Sequence, residues 1–143
     1  MNIAYIFGYK LSGKTKSVMA YLSSFLYKNE YENILFVDIK QGNHLVEQIV
    51  DGISRFLDID FSIEKERKKE ECLRILKKGR SILTIDFSHT SLDEETLAFI
   101  KEVSNEVKVI LLTVDNFKKY SKTTCNIKIF MVLYRYLIEI VFF

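Results

Sequence analysis

The chain has 143 residues, of which 48% are hydrophobic and 28% charged, and its formal net charge is +2. That length suits one domain with a core of its own, and the composition is ordinary for a compact protein, with no internal repeat or low-complexity linker. A charge so near balance leaves no broad electrostatic footprint for DNA or a membrane surface. Cys72 and Cys125 are too few and too far apart for a metal cluster. With no secretory leader in the sequence, they are expected to be reduced thiols in a cytoplasmic protein. Proline is absent, so helix ends must be set by glycine, asparagine and side-chain caps.

Asn2 to Phe7 is a short, mostly apolar run of strand length that stops at Gly8. The stretch Gly8-Tyr9-Lys10-Leu11-Ser12-Gly13-Lys14-Thr15 then fits the pattern G-x-x-x-x-G-K-[ST] at every fixed position, between a strand-like and a helix-like run. Such a loop turns backbone N–H groups inward, and the helix that follows adds its positive end, so a triphosphate tail is cradled from Gly8 to Lys16. Lys14 is the expected partner of the β- and γ-phosphates. The Thr15 hydroxyl is a compact oxygen ligand of the kind Mg²⁺ takes. The plain alternative, a glycine turn that matches by chance, has to explain the strand–loop–helix context as well.

From Lys14 the apolar period becomes helical, with Val18, Leu22, Phe25 and Leu26 recurring through Tyr27 and Asn29 as a stop. Asn33 to Asp38 is a second apolar run ended by a carboxylate. Gly42 and Asn43 open a helical pattern carrying Leu45, Val46, Ile49, Val50, Ile53 and Leu57. A connector with Phe61 and Ile63 leads to a charged helix over Glu64 to Lys78, whose mixed charges predict a solvated face and whose apolar stripe (Cys72, Leu73, Leu76) is narrow. Gly79 closes it. Ser81 to Asp86 is the third strand. Ser91 with Glu94 matches a capping box and opens a helix through Leu97, Ile100 and Val103, before a fourth strand over Val107 to Val114.

This alternation predicts a three-layer α/β domain of the P-loop NTPase kind, with a mainly parallel sheet flanked by helices. Gly8, Asp38, Asp86 and Asp115 then gather at the carboxyl ends of the strands, where ligands of such sheets bind. A nucleotide with Mg²⁺ needs a carboxylate facing the loop. Asp86 is the candidate metal ligand, and Asp38 a candidate near the metal. An aspartate after a strand also forms turns without any further role. His44 and His89 are expected to be loop histidines without a catalytic partner. Ile127 to Phe143, the apolar C-terminal segment (126–143), carries Lys128, Arg135 and Glu139 at helical offsets, yet its β-branched and aromatic content equally allows a strand. It is too short and too charged to cross a bilayer.

The three motifs together resemble the ParA/MinD-like ATPases, which position plasmids, chromosomes, septa or pilus machinery. The loop Gly8 to Thr15 corresponds to their phosphate loop. The stretch Ile34-Leu35-Phe36-Val37-Asp38-Ile39-Lys40-Gln41-Gly42-Asn43 is similar to their second-strand motif, and Ile82-Leu83-Thr84-Ile85-Asp86-Phe87-Ser88-His89-Thr90-Ser91-Leu92 to their metal-holding strand. The resemblance covers residues 1–115 and implies ATP and Mg²⁺ as cofactors, Thr15 and Asp86 on the metal, Lys14 at the γ-phosphate and Asp38 orienting water. It also implies a homodimer, an activating or cargo protein and, in some relatives, a DNA or membrane surface. Departures from the family pattern fall in the loop, where the signature lysine would reach the partner's nucleotide and the residue after Thr15 would touch the α-phosphate, and in the turn after Asp38. Tyr9 replaces a signature lysine, Lys40 an acidic residue and Lys16 a small hydroxyl residue. The chain is also short, and only Asp115 and Asn116 can be named as base contacts or, equally, as a turn.

Two readings follow. One is a cytoplasmic Mg²⁺-dependent ATPase of this positioning type, slow unless a partner supplies the missing groups. The other is a nucleotide-binding scaffold that hardly hydrolyses and uses its apolar tail to dimerise or dock. A small-molecule kinase ranks behind both, because Arg55, Arg67, Arg74, Arg80 and Arg135 form no cluster that could make a lid.

Overall fold

In a computed structural model, residues 3–7, 13–27, 29–60, 62–114, 129–131 and 139–142 are described. Their elements run β1 (Ile3–Phe7), α1 (Lys14–Tyr27), β2 (Asn33–Asp38), α2 (Leu45–Phe56), α3 (Lys65–Lys78), β3 (Ser81–Phe87), α4 (Glu94–Ser104), β4 (Lys108–Thr113), β5 (Ile129–Met131) and β6 (Glu139–Phe142). They form a six-stranded sheet in the order β2-β3-β4-β1-β6-β5. The first four of these positions are parallel. β6 joins β1 antiparallel and β5 joins β6 antiparallel, so the described parts of the apolar tail are strand and extend the sheet past β1.

The parallel strands are hydrophobic on both faces because helices cover both. Tyr5, Leu35, Leu83, Ile85, Phe87, Val109 and Leu111 pack into the larger core with Leu45, Ile49 and Ile53 of α2, Cys72 and Leu76 of α3, and Phe99 and Ile100 of α4. The residues one place along each strand face the other way. Among the described residues, Ala4, Ile6, Ile82, Ile110 and Leu112 pack with Val18 and Leu22 of α1, with Tyr31, Ile34 and Phe36 at the margin. The described residues therefore form the three layers expected, with α1 on one side of the sheet and α2, α3 and α4 on the other.

Close approach fixes how α2 lies. A Cβ on Gly52 would stand 2.6 Å from a methyl carbon of Val37, so α2 sits against β2 where only glycine fits. The charged helix α3 also differs from a merely solvated one. Lys68 is buried on it and ion-pairs with Asp51 of α2 at 3.1 Å, which compensates a lysine facing the core side. Beside this pair, the Cys72 thiol lies 3.2 Å from the Ser54 hydroxyl, and burial pushes its pKa up.

The cap of α4 corrects the sequence reading. Asp93, not Ser91, is the N-cap, its carboxylate accepting from the Thr96 N–H at 2.7 Å. Leu92 before it is buried and Leu97 packs on the same core, the arrangement of a hydrophobic staple. β3 also runs one residue past Asp86, to Phe87. Among the described residues no helix is long and apolar enough to cross a membrane.

Candidate functional site

The connection from β1 leaves on the α1 face, whereas that from β3 leaves toward α4 on the opposite face. Connections that part in this way open a crevice at the carboxyl ends of the strands. The described residues of the expected phosphate loop lie at this crevice. Gly13 has φ of +86°, a conformation that costs glycine little and other residues much. Its carbonyl accepts from Ser17 N–H at 3.0 Å, which starts α1 directly behind it. The N–H groups of a first helical turn lack intrahelical acceptors and carry the positive end of the helix dipole. No acidic side chain occupies that first turn. Gly8, Tyr9, Lys10, Leu11 and Ser12 lie outside the described residues, as do Asp115 and Asn116.

Lys14, the first residue of α1, is 4% exposed. Burial holds its ammonium below the ordinary lysine value, and the Asp86 charge opposes that shift. Thr15 follows on α1 and donates its hydroxyl to the Asp86 carboxylate at 3.2 Å. β4 lies between β1 and β3, and α1 packs across both β4 and β3, which brings Thr15 to Asp86. Lys16 is exposed on α1.

Asp86 is 6% exposed, and its other oxygen accepts from the Ser88 N–H at 2.8 Å and from the Ser88 hydroxyl. Ser88 thus positions the carboxylate, a role not assigned from sequence. The signal was present, since an aspartate two residues before a serine forms an Asx-turn. His89 next to it is exposed.

Asp38 pairs in register with Asp86, so both point to the α1 face. It lies on the outermost strand, one place beyond Asp86, and is exposed. The loop after it is tied down by Gln48, whose side chain accepts from Lys40 N–H at 3.0 Å and donates to the Asn43 carbonyl at 3.3 Å. His44 caps nothing with its side chain and stands exposed at the start of α2. The structure therefore brings Gly13, Lys14, Thr15 and Asp86 together and sets Asp38 to one side.

A hard divalent cation takes oxygen ligands, and Mg²⁺ in particular is held by one or two protein oxygens together with phosphate and water. Thr15 and Asp86 offer one hydroxyl and one carboxylate that already touch, so the donor set fits. No three-residue cluster of histidine, cysteine or carboxylate able to hold a metal alone occurs among the described residues. No family model matches the chain, and no curated protein matches it.

Proposed function

We propose that this protein binds a nucleoside triphosphate with Mg²⁺ at the crevice between β1 and β3, and that it is a slow ATPase. The observation that carries the reading is the Thr15–Asp86 hydrogen bond beside the buried Lys14, at the start of a helix entered through Gly13 at positive φ. These are the residue types and places that phosphate and its cation need. Backbone N–H groups of the loop and of the first turn of α1 would take phosphate oxygens. Lys14 would meet the terminal phosphates as a positive charge already held in place. Thr15 and Asp86 would hold the metal, which supplies charge neutralisation across the phosphate oxygens. Ser88 fixes which way Asp86 faces.

The narrower reading is a cytoplasmic ATPase of ParA/MinD type that cycles between monomer and nucleotide-bound homodimer to position DNA or a cellular assembly through a partner protein. It rests on the order and wording of the sequence motifs. A second reading, the nucleotide-binding scaffold with little hydrolysis, is favoured by one observation. Asp38, the residue that would orient water, sits one strand farther from β1 than Asp86 does.

ATP binding and turnover in Mg²⁺, measured on the purified chain with Lys14→Ala as control, separate these outcomes. Slow hydrolysis that Lys14→Ala abolishes, with a mass that doubles on adding ATP, is the result expected for the positioning ATPase. Binding without turnover selects the scaffold. Absence of ATP binding contradicts both.

A further inference from the structure

β2 forms one edge of the sheet, and its only strand partner among the described residues is β3. Two bonds fix the phase of its backbone. Asn33 N–H reaches the Arg80 carbonyl at 3.3 Å and Ile39 N–H the Asp86 carbonyl at 3.0 Å, so the odd-numbered residues face β3. The N–H and C=O groups of Ile34, Phe36 and Asp38 consequently point away from the sheet. Ile34 and Phe36 are only half-buried, and Phe56 of α2, 54% exposed, stands at the same edge. A cleft of about 640 Å³ runs beside the strand between Phe36, Asp38, Arg55 and Phe56, which leaves the edge accessible. At either end the ladder stops. Glu32 N–H is taken by Arg80 and Lys40 N–H by Gln48.

We propose that this edge binds a second copy of the chain, β2 against β2 in antiparallel register about a two-fold axis through Phe36. An open row of strand donors and acceptors takes another strand, and a strand that meets its own copy must do so antiparallel. Charge selects the register. Centring on Phe36 sets Ile34 opposite the copy's Asp38 and Glu32 opposite its Lys40, each twice by symmetry, with the two Phe36 side chains adjacent on one face. It also matches outward-facing residues with outward-facing residues, so Ile34, Phe36 and Asp38 each exchange both backbone bonds with the copy. Moving the strand two residues one way sets Glu32 opposite Asp38, like against like. Moving it the other way sets Glu32 opposite Gly42 and Lys40 opposite Ile34, so both Glu32–Lys40 pairs are lost. Glu32 and Lys40 are both exposed, and neither belongs to the candidate nucleotide site. This association needs no nucleotide, unlike the dimer of the proposed function, and is built on the backbone of the outer edge of β2.

The test is the mass of the full chain by sedimentation equilibrium in EDTA without nucleotide, over micromolar concentrations up to about 100 µM. A reversible monomer–dimer equilibrium is expected, unchanged by Lys14→Ala. Lys40→Glu and Glu32→Lys, each replacing two attractive pairs by two repulsive ones, should each weaken the dimer about tenfold. The double variant Glu32→Lys/Lys40→Glu should restore it, with circular dichroism showing that all three remain folded. A chain that stays monomeric across the range overturns the proposal. So does a dimer indifferent to both reversals, and so does a double variant that stays as weak as the singles.

Discussion

On the α2 side of the sheet, three helices bury a continuous apolar layer in which Ile49, Ile53, Leu76, Leu83, Leu111 and Phe87 are fully enclosed. On the α1 side the one described helix covers the same strands. Both sides bury polar groups, but on the α2 side Lys68 is closed on Asp51 and Ser54 on Val50 and Cys72, whereas Lys14 and Asp86 are buried at the carboxyl ends of the strands. The contrast separates stability from chemistry. Polar groups closed on one another inside a packed layer hold that layer in place, whereas an ammonium and a carboxylate at the carboxyl ends of the strands lie where a ligand can meet them.

Substitutions on the two faces should therefore differ in kind. Ile53→Ala removes a fully buried side chain from the thick layer and should cost about 2–5 kcal/mol in urea unfolding, the largest effect expected, with nucleotide affinity unchanged in the folded fraction. Thr84 lies between Phe36 and Ile110 under α1, and its hydroxyl has no hydrogen-bond partner among the described residues. Thr84→Val keeps the shape and removes an unsatisfied polar atom, so stability should rise by about 1 kcal/mol. A fall in stability would show that the hydroxyl is satisfied.

The smallest effect belongs to Lys14. Its folded pKa is depressed below the unfolded value of 10.5, so folding at neutral pH carries the cost of a buried charge, and that cost fades as pH rises through the folded value toward 10.5. Lys14→Met should raise the denaturation midpoint slightly near pH 7 and lose this advantage in alkali, while abolishing ATP binding. In the unsubstituted protein ATP affinity should fall as pH rises through the same lowered pKa. Equal stability of Lys14→Met and the parent at neutral pH would contradict the burial cost.

Much of this arrangement is legible in the sequence, for physical reasons. Runs such as Ile34 to Val37 and Ile82 to Ile85 are apolar at every position, which only a strand covered on both faces requires. The loop pattern ends in Gly13-Lys14-Thr15, and the positive φ at Gly13 is the conformation for which glycine is used there. What sequence could not supply is sideways order. Chain order puts β3 after β2 but does not say that β4 slips between β3 and β1, and so neither the reach of Thr15 to Asp86 nor the outlying place of Asp38 could be read. At α4, Ser91 and Asp93 are both good N-caps, and the buried Leu92 decides between them through its contact with the core. Lys68 was hidden in a run of mixed charge, because only the packing of α3 on α2 sets Asp51 beside it.

The account's central claim is that Thr15 and Asp86 form the metal half of a nucleotide site. Its most direct test is calorimetric titration of ATP into the chain and into Asp86→Asn, each in Mg²⁺ and in EDTA. The account predicts that Mg²⁺ tightens ATP binding to the parent by about tenfold or more, and that Asp86→Asn keeps the EDTA affinity but loses the Mg²⁺ increment, as removal of one metal ligand should do. An Mg²⁺ increment of the same size in the variant would contradict it.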